Sequence, residues 1–141
     1  MPPRADFYLI DRPRFREAPL RLVCVLARKA CDAGQPTLIL VRNMGQAEAL
    51  DDELWAFEPD AFVPHQIAGN EEDEATPVLI VPPEVETPDR PLVINLRDVI
   101  VERACERVLE VVPADPAARE GSRRRWSEYK ARGFALDKHD M

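Results

Sequence analysis

Apolar residues along this chain follow two alternating rhythms. Short runs rich in β-formers, Phe7-Tyr8-Leu9-Ile10, Thr37 to Val41, Pro77 to Val81, Pro91 to Leu96 and Arg107 to Val112, predict strands. Behind Pro19, the residues Leu20, Val23, Cys24, Ala27 and Cys31 recur at helical spacing and Gly34 stops the run. Asn43 reads as the cap of a second helix, with Gln46 at the capping-box position and Ala47, Leu50, Leu54 and Phe57 as its buried stripe. Trp55 lies about 100° from Leu54 around that helix, which predicts a half-exposed place at the edge of the core. Glu58 to Thr76 shows no helical period; it holds the apolar knot Phe62-Val63-Pro64-His65 and the acidic run Glu71 to Glu74. Asp98 to Glu106 predicts a short amphipathic helix with Val101 and Cys105 inward. Asp115 as N-cap, Pro116 in the first turn and Gly133 past the end predict a final helix over about 115–132. Residues 135–141 read as a short polar tail.

Strands that alternate with helices favour a mostly parallel sheet covered on both faces. The expectation is therefore an α/β fold, three-layer α/β/α with Rossmann-like topology, in a single domain spanning 1–141. The turn after the first strand tests whether that topology holds a nucleotide. It reads Asp11-Arg12-Pro13-Arg14-Phe15-Arg16, without the glycine amides that cradle phosphate, and neither GxGxxG nor GxxxxGK[ST] occurs in the chain.

Composition narrows the chemistry. The three cysteines, Cys24, Cys31 and Cys105, form no CxxC pair and no Cys/His cluster, so no metal site is expected. No apolar run approaches the ~20 residues of a membrane span, and no secretory leader precedes Phe7, which predicts a cytoplasmic protein without membrane contact. Of the two histidines, His65 sits in the apolar knot, where a hydrogen-bonded structural role is expected, and His139 in the polar tail. No nucleophile elbow, HExxH or paired carboxylate setting points to an enzyme or a cofactor. The net charge of −7 opposes broad nucleic-acid binding.

One stretch contradicts that acidity. Between Arg119 and Arg132 six basic residues stand against Glu120 and Glu128. Arg119, Arg123, Trp126 and Lys130 are spaced i, i+4, i+7 and i+11, so they share roughly 60° of one helix face. Guanidinium groups around a flat ring suit an acidic peptide that ends in a hydrophobe. Gly121, inside the helix, costs ~1 kcal/mol in propensity.

The run Arg123-Arg124-Arg125-Trp126-Ser127-Glu128-Tyr129-Lys130-Ala131-Arg132-Gly133-Phe134 resembles the C-terminal signature of the chi subunit family of bacterial DNA polymerase III. Phe7 to Asp11, Leu54-Trp55, Phe62 to His65 with Ala68-Gly69, Leu96-Arg97 and Val111 to Pro113 match the same family in order. The resemblance implies a non-catalytic clamp-loader accessory. It would bind the acidic, phenylalanine-ended tail of single-stranded-DNA-binding protein on one surface and the psi subunit, or a DNA-repair helicase, on another. By that resemblance the tail-binding residues are Val112, Arg119, Arg123, Trp126 and Lys130, and Trp55 and Phe62 belong to the psi or helicase surface. Ser127 stands where the family often has lysine; Arg124 and Arg132 are the candidates to replace that charge. Two other readings remain open at this point: a nucleotide-binding enzyme on the same fold, and direct binding of single-stranded nucleic acid by the basic helix, although contact with nucleic acid is expected to be mainly indirect.

Overall fold

The structure, a computed structural model, describes residues 2–57, 63–69 and 73–141. Seven strands form one sheet: β1 (Arg4–Leu9), β2 (Thr37–Leu40), β3 (His65–Ile67), β4 (Val78–Val81), β5 (Leu92–Asn95), β6 (Arg107–Val112) and β7 (Ala135–Asp140). Their order is β3-β4-β2-β5-β6-β1-β7, and every pairing is parallel. The helices are α1 (Pro13–Glu17), α2 (Pro19–Asp32), α3 (Met44–Ala56) and α4 (Pro116–Ala131), with a single 3-10 turn at Asp73–Ala75. The expected α/β architecture is what the chain forms.

Period-two alternation divides the core into two layers. On β6, Leu109 and Val111 join the layer under α2 and α3, whereas Val108 and Val112 face α4 with Phe7, Leu38 and Val93. Central strands β2, β4 and β5 are buried along their whole length, as parallel strands covered on both faces must be. The caps work as read: the Asn43 side chain accepts from the Gln46 amide at 2.7 Å, and the Gln46 side chain accepts from the Arg42 amide at 2.8 Å. Cys24 lies in the core, where burial pushes its thiol up to about 12; Cys31 is only half-buried.

Four expectations change. Residues 135–141 are no tail: Ala135–Asp140 is edge strand β7, in register with β1 from Arg4↔Ala135 to Leu9↔Asp140. Polar contacts hold it there, Arg4 to Asp137 at 3.2 Å and the His139 ring stacked on Tyr8 at 4.8 Å, so no apolar rhythm announced it. Asp98 to Glu106 forms no helix. Its backbone is satisfied from outside, by the Asn95 side chain on the Val99 carbonyl and by the Val101 amide donating to the Tyr129 hydroxyl, although Val101 is buried as expected. The break after β1 contains the one-turn helix α1, which seats Phe15 in the core. Finally, the stretch without helical period contains β3. Phe62, Glu71 and Glu72 lie outside the described residues.

Candidate partner-binding site

Helix α4 carries the site, and a buried polar network sets its rotation. Asp115 accepts from the Ala117 amide at 2.8 Å, Pro116 opens the first turn, and Gly133 leaves it at φ +85°. Arg125, the middle of the arginine run, points inward: its Nε donates to Glu110 on β6 at 2.9 Å and its Nη1 to Asp98 at 2.7 Å. Tyr129 donates its hydroxyl to the same Glu110 carboxylate at 2.7 Å, and Asn95 donates its amide to it, also at 2.7 Å. Burial raises the Glu110 carboxyl, against the pull of Arg125, Asn95 and Tyr129. With Arg125 and Tyr129 fixed on the sheet, Arg119, Arg123 and Trp126 face along the seam where α4 meets β1 and β7.

That seam is an open groove of about 610 Å³. Its apolar surface comes from Phe7 and Leu9 on β1, Leu136 on β7 and Trp126, whose ring meets Phe7 edge-on at 5.2 Å. Arg119, Arg123 and Lys138 supply its cations. The Arg119 guanidinium donates to the Ile10 carbonyl, which pins it to the carboxyl end of β1, and its Nε is buried without a hydrogen-bond partner. Asp137, also at the groove, is tied to Arg4 at 3.2 Å.

A family model described as DNA polymerase III chi subunit, HolC, matches residues 2–137. The chain belongs to the DNA polymerase III chi subunit family. It is similar to DNA polymerase III subunit chi of Pseudomonas aeruginosa, 34% identical over 98% of this chain and 96% of that protein. It is likewise similar to subunit chi of Escherichia coli K12, 32% identical over 94% of this chain and 95% of that one. Among solved structures, the C-terminal domain of the DEAD-box protein Dbp5 superposes with a TM-score of 0.59 at 12% identity, covering 98% of this chain and 90% of that one; this likeness concerns the fold alone.

Measured against the positions that the chi resemblance implied, the groove collects Arg119, Arg123 and Trp126. Val112 is not on its surface: it is fully buried in the layer under α4 because its position on β6 turns it into the core. Lys130 is exposed one turn beyond Trp126, outside the groove lining. Arg124 pairs with Glu120 at 3.7 Å and Arg132 with Glu102 at 3.2 Å, and neither is part of the groove lining. Sequence reasoning missed Phe7 and Leu9 as lining residues, and Leu136 and Lys138 entirely. Period-two alternation in β1 could have signalled the first two; nothing in the composition of 135–141 signals the others.

The second surface lies at the opposite edge and face of the sheet. Trp55 on α3 is 62% exposed, with its ring 5.0 Å from that of His65. His65 has the structural setting expected of it: Nδ1 donates to the Val63 carbonyl at 2.7 Å, and Nε2 lies 3.0 Å from the Asp51 carboxylate. At ~4.8 Å per strand, the width of the sheet separates this surface from the groove by roughly 25–30 Å.

The chi fold also shows what its carboxyl edge does with the amides after β1. Those of Asp11 and Arg12 both donate to the Met141 carbonyl, where a nucleotide-binding relative of the fold would hold phosphate. The described residues bring one potential metal-ligand cluster together, Asp6, Asp137 and His139, within 4.8 Å. Cations already occupy it: Asp6 accepts from Arg107 at 2.7 Å and from Arg4 at 3.1 Å. No described helix is long and apolar enough to cross a membrane.

Proposed function

We propose that this chain is a non-catalytic accessory of the DNA polymerase III clamp loader, acting in the cytoplasm as a bridge. The groove along α4 takes the acidic C-terminal tail of single-stranded-DNA-binding protein, and the surface around Trp55 takes the psi subunit or, in its place, a repair helicase. One observation carries this reading: on a molecule of net charge −7, an apolar cleft is lined by Trp126 and Phe7 and edged by cations. An acidic peptide ending in a hydrophobe is complementary to both properties at once, its ring against Trp126 and its charges against Arg119 and Arg123. Because the second surface lies on the far edge of the sheet, one partner does not obstruct the other.

Calorimetry with a tail peptide tests the reading. Arg123→Ala is expected to weaken binding by ~1.5–3 kcal/mol, the range for charge-assisted hydrogen bonds, and binding falls as salt rises. Unchanged affinity in the variant removes the groove from consideration. Binding of bare oligonucleotide at comparable strength favours direct nucleic-acid recognition instead.

A further inference from the structure

We propose that Lys138, on the edge strand β7, is a binding residue for the partner's terminal carboxylate, closing a clamp with Arg123 on the facing wall of the groove. The inference rests on the tail-binding reading above and adds a residue from an element outside the basic helix.

Few cations of α4 are free to bind at the groove. Of the six basic residues between Arg119 and Arg132, Arg125 is buried against Glu110 and Asp98; Arg124, Lys130 and Arg132 lie outside the groove lining; and Arg119 lines the groove with its guanidinium held at the Ile10 carbonyl. Arg123 remains at the groove, exposed and without an ion pair among the described residues. The neighbouring α4 positions in the groove wall are Ser122 and Ser127, which carry no charge. A single exposed arginine is a weak grip on a carboxylate in water.

Lys138 supplies the missing charge from the other side. Its side chain lines the same groove, is exposed, and has no ion pair among the described residues. Of the two acids on β7, Asp137 is turned to Arg4 and its other oxygen accepts from the Lys138 amide at 2.9 Å, which holds the local backbone, and Asp140 is exposed outside the groove lining. Register places Lys138 opposite Phe7, the residue whose ring meets Trp126. Arg123 is three residues before Trp126, about 4.5 Å along the helix axis. A terminal hydrophobe resting on Trp126 and Leu136, above the buried Phe7, therefore carries its own carboxylate between Arg123 and Lys138. A hydrophobe within a chain offers no carboxylate there, so the clamp selects a chain end.

The test is a double-mutant cycle between Lys138 and the peptide terminus, using an acidic peptide ending in phenylalanine, as free acid and as C-terminal amide. Lys138→Ala should weaken the free acid about five- to twentyfold and the amide less than about twofold, while Lys138→Arg keeps most of the affinity. Equal loss against both peptides overturns the clamp, since Lys138 then acts only as general positive charge. No loss against the free acid overturns it and leaves the groove standing. If the native chain binds neither peptide, the groove reading and the clamp fail together. Lys138 is a surface residue on an edge strand, and unchanged melting of both variants separates lost binding from lost folding.

Discussion

Arg125 Nε stands 2.9 Å from Glu110 Oε1, a carboxylate with no solvent exposure in the middle of the sheet. This contact decides which arginines of the closing helix stay in solvent, because it takes the central one into the core and fixes the rotation of the rest. A buried pair is worth little against an apolar pair of the same shape, but removing one member strands the other. Arg125→Met should therefore destabilise the fold by ~3–5 kcal/mol at neutral pH, and Arg125→Met with Glu110→Leu should recover much of that loss. Chemical denaturation of Arg125→Met, Glu110→Leu and the double variant measures it; additive single effects would refute the coupling.

Gly121 makes room for the same network. A Cβ there would sit 2.5 Å from Asp98 Oδ1 and 3.3 Å from Arg125 Nη1. Helix propensity alone would favour alanine by ~1 kcal/mol. In the native background Gly121→Ala is nevertheless expected to lower stability by about 1 kcal/mol, because Asp98 must leave Arg125. With Asp98→Ala already present, the same change should be neutral or stabilising. Thermal melts of the four proteins decide this.

Asp6 predicts an acid-sensitive edge. Burial alone would raise its carboxyl, but hydrogen bonds from Arg4, Arg107 and His139 hold it below the usual carboxylate range. A depressed native value stabilises the fold above the unfolded value near 4, and that contribution is lost as pH falls through the native value. Asp6→Asn should accordingly melt well below the native chain at pH 7, the two converging as pH falls through the depressed native value. A constant gap across that range would assign the stability of β7 to other contacts.

Trp55 is expected to separate partner binding from stability. At 62% exposure it contributes little to the core, so Trp55→Ala should change unfolding free energy by less than about 1 kcal/mol. Co-purification with psi should be lost while binding of the tail peptide is unchanged. A large stability loss would identify Trp55 as a packing residue.

Local rules made much of this molecule legible in its sequence. Apolar runs located β2, β4, β5 and β6, the last with its observed bounds, and the caps at Asn43 and Asp115 placed two helix starts. Those signals depend on neighbours within a turn or a strand, where spacing alone determines which side is wet. The groove was half legible: helical spacing brought Arg119, Arg123 and Trp126 together, because one helix carries all three.

What tertiary structure decided was everything that depends on a partner far along the chain. Arg125 shares a run with Arg123 and Arg124, and only Glu110 and Asp98 select it for burial. The family resemblance puts Val112 at the binding surface, and the sheet turns it inward. Strand β7 has no apolar rhythm; it exists because β1 offers a free edge and because Asp6 and Tyr8 hold His139, at a sequence separation no local pattern encodes. Without that strand the groove would lack Leu136 and Lys138 and would have one wall. Composition and spacing thus determined which segments form helix and strand and where positive charge collects. Long-range pairing of backbone and buried charge determined which of those charges remain free to bind.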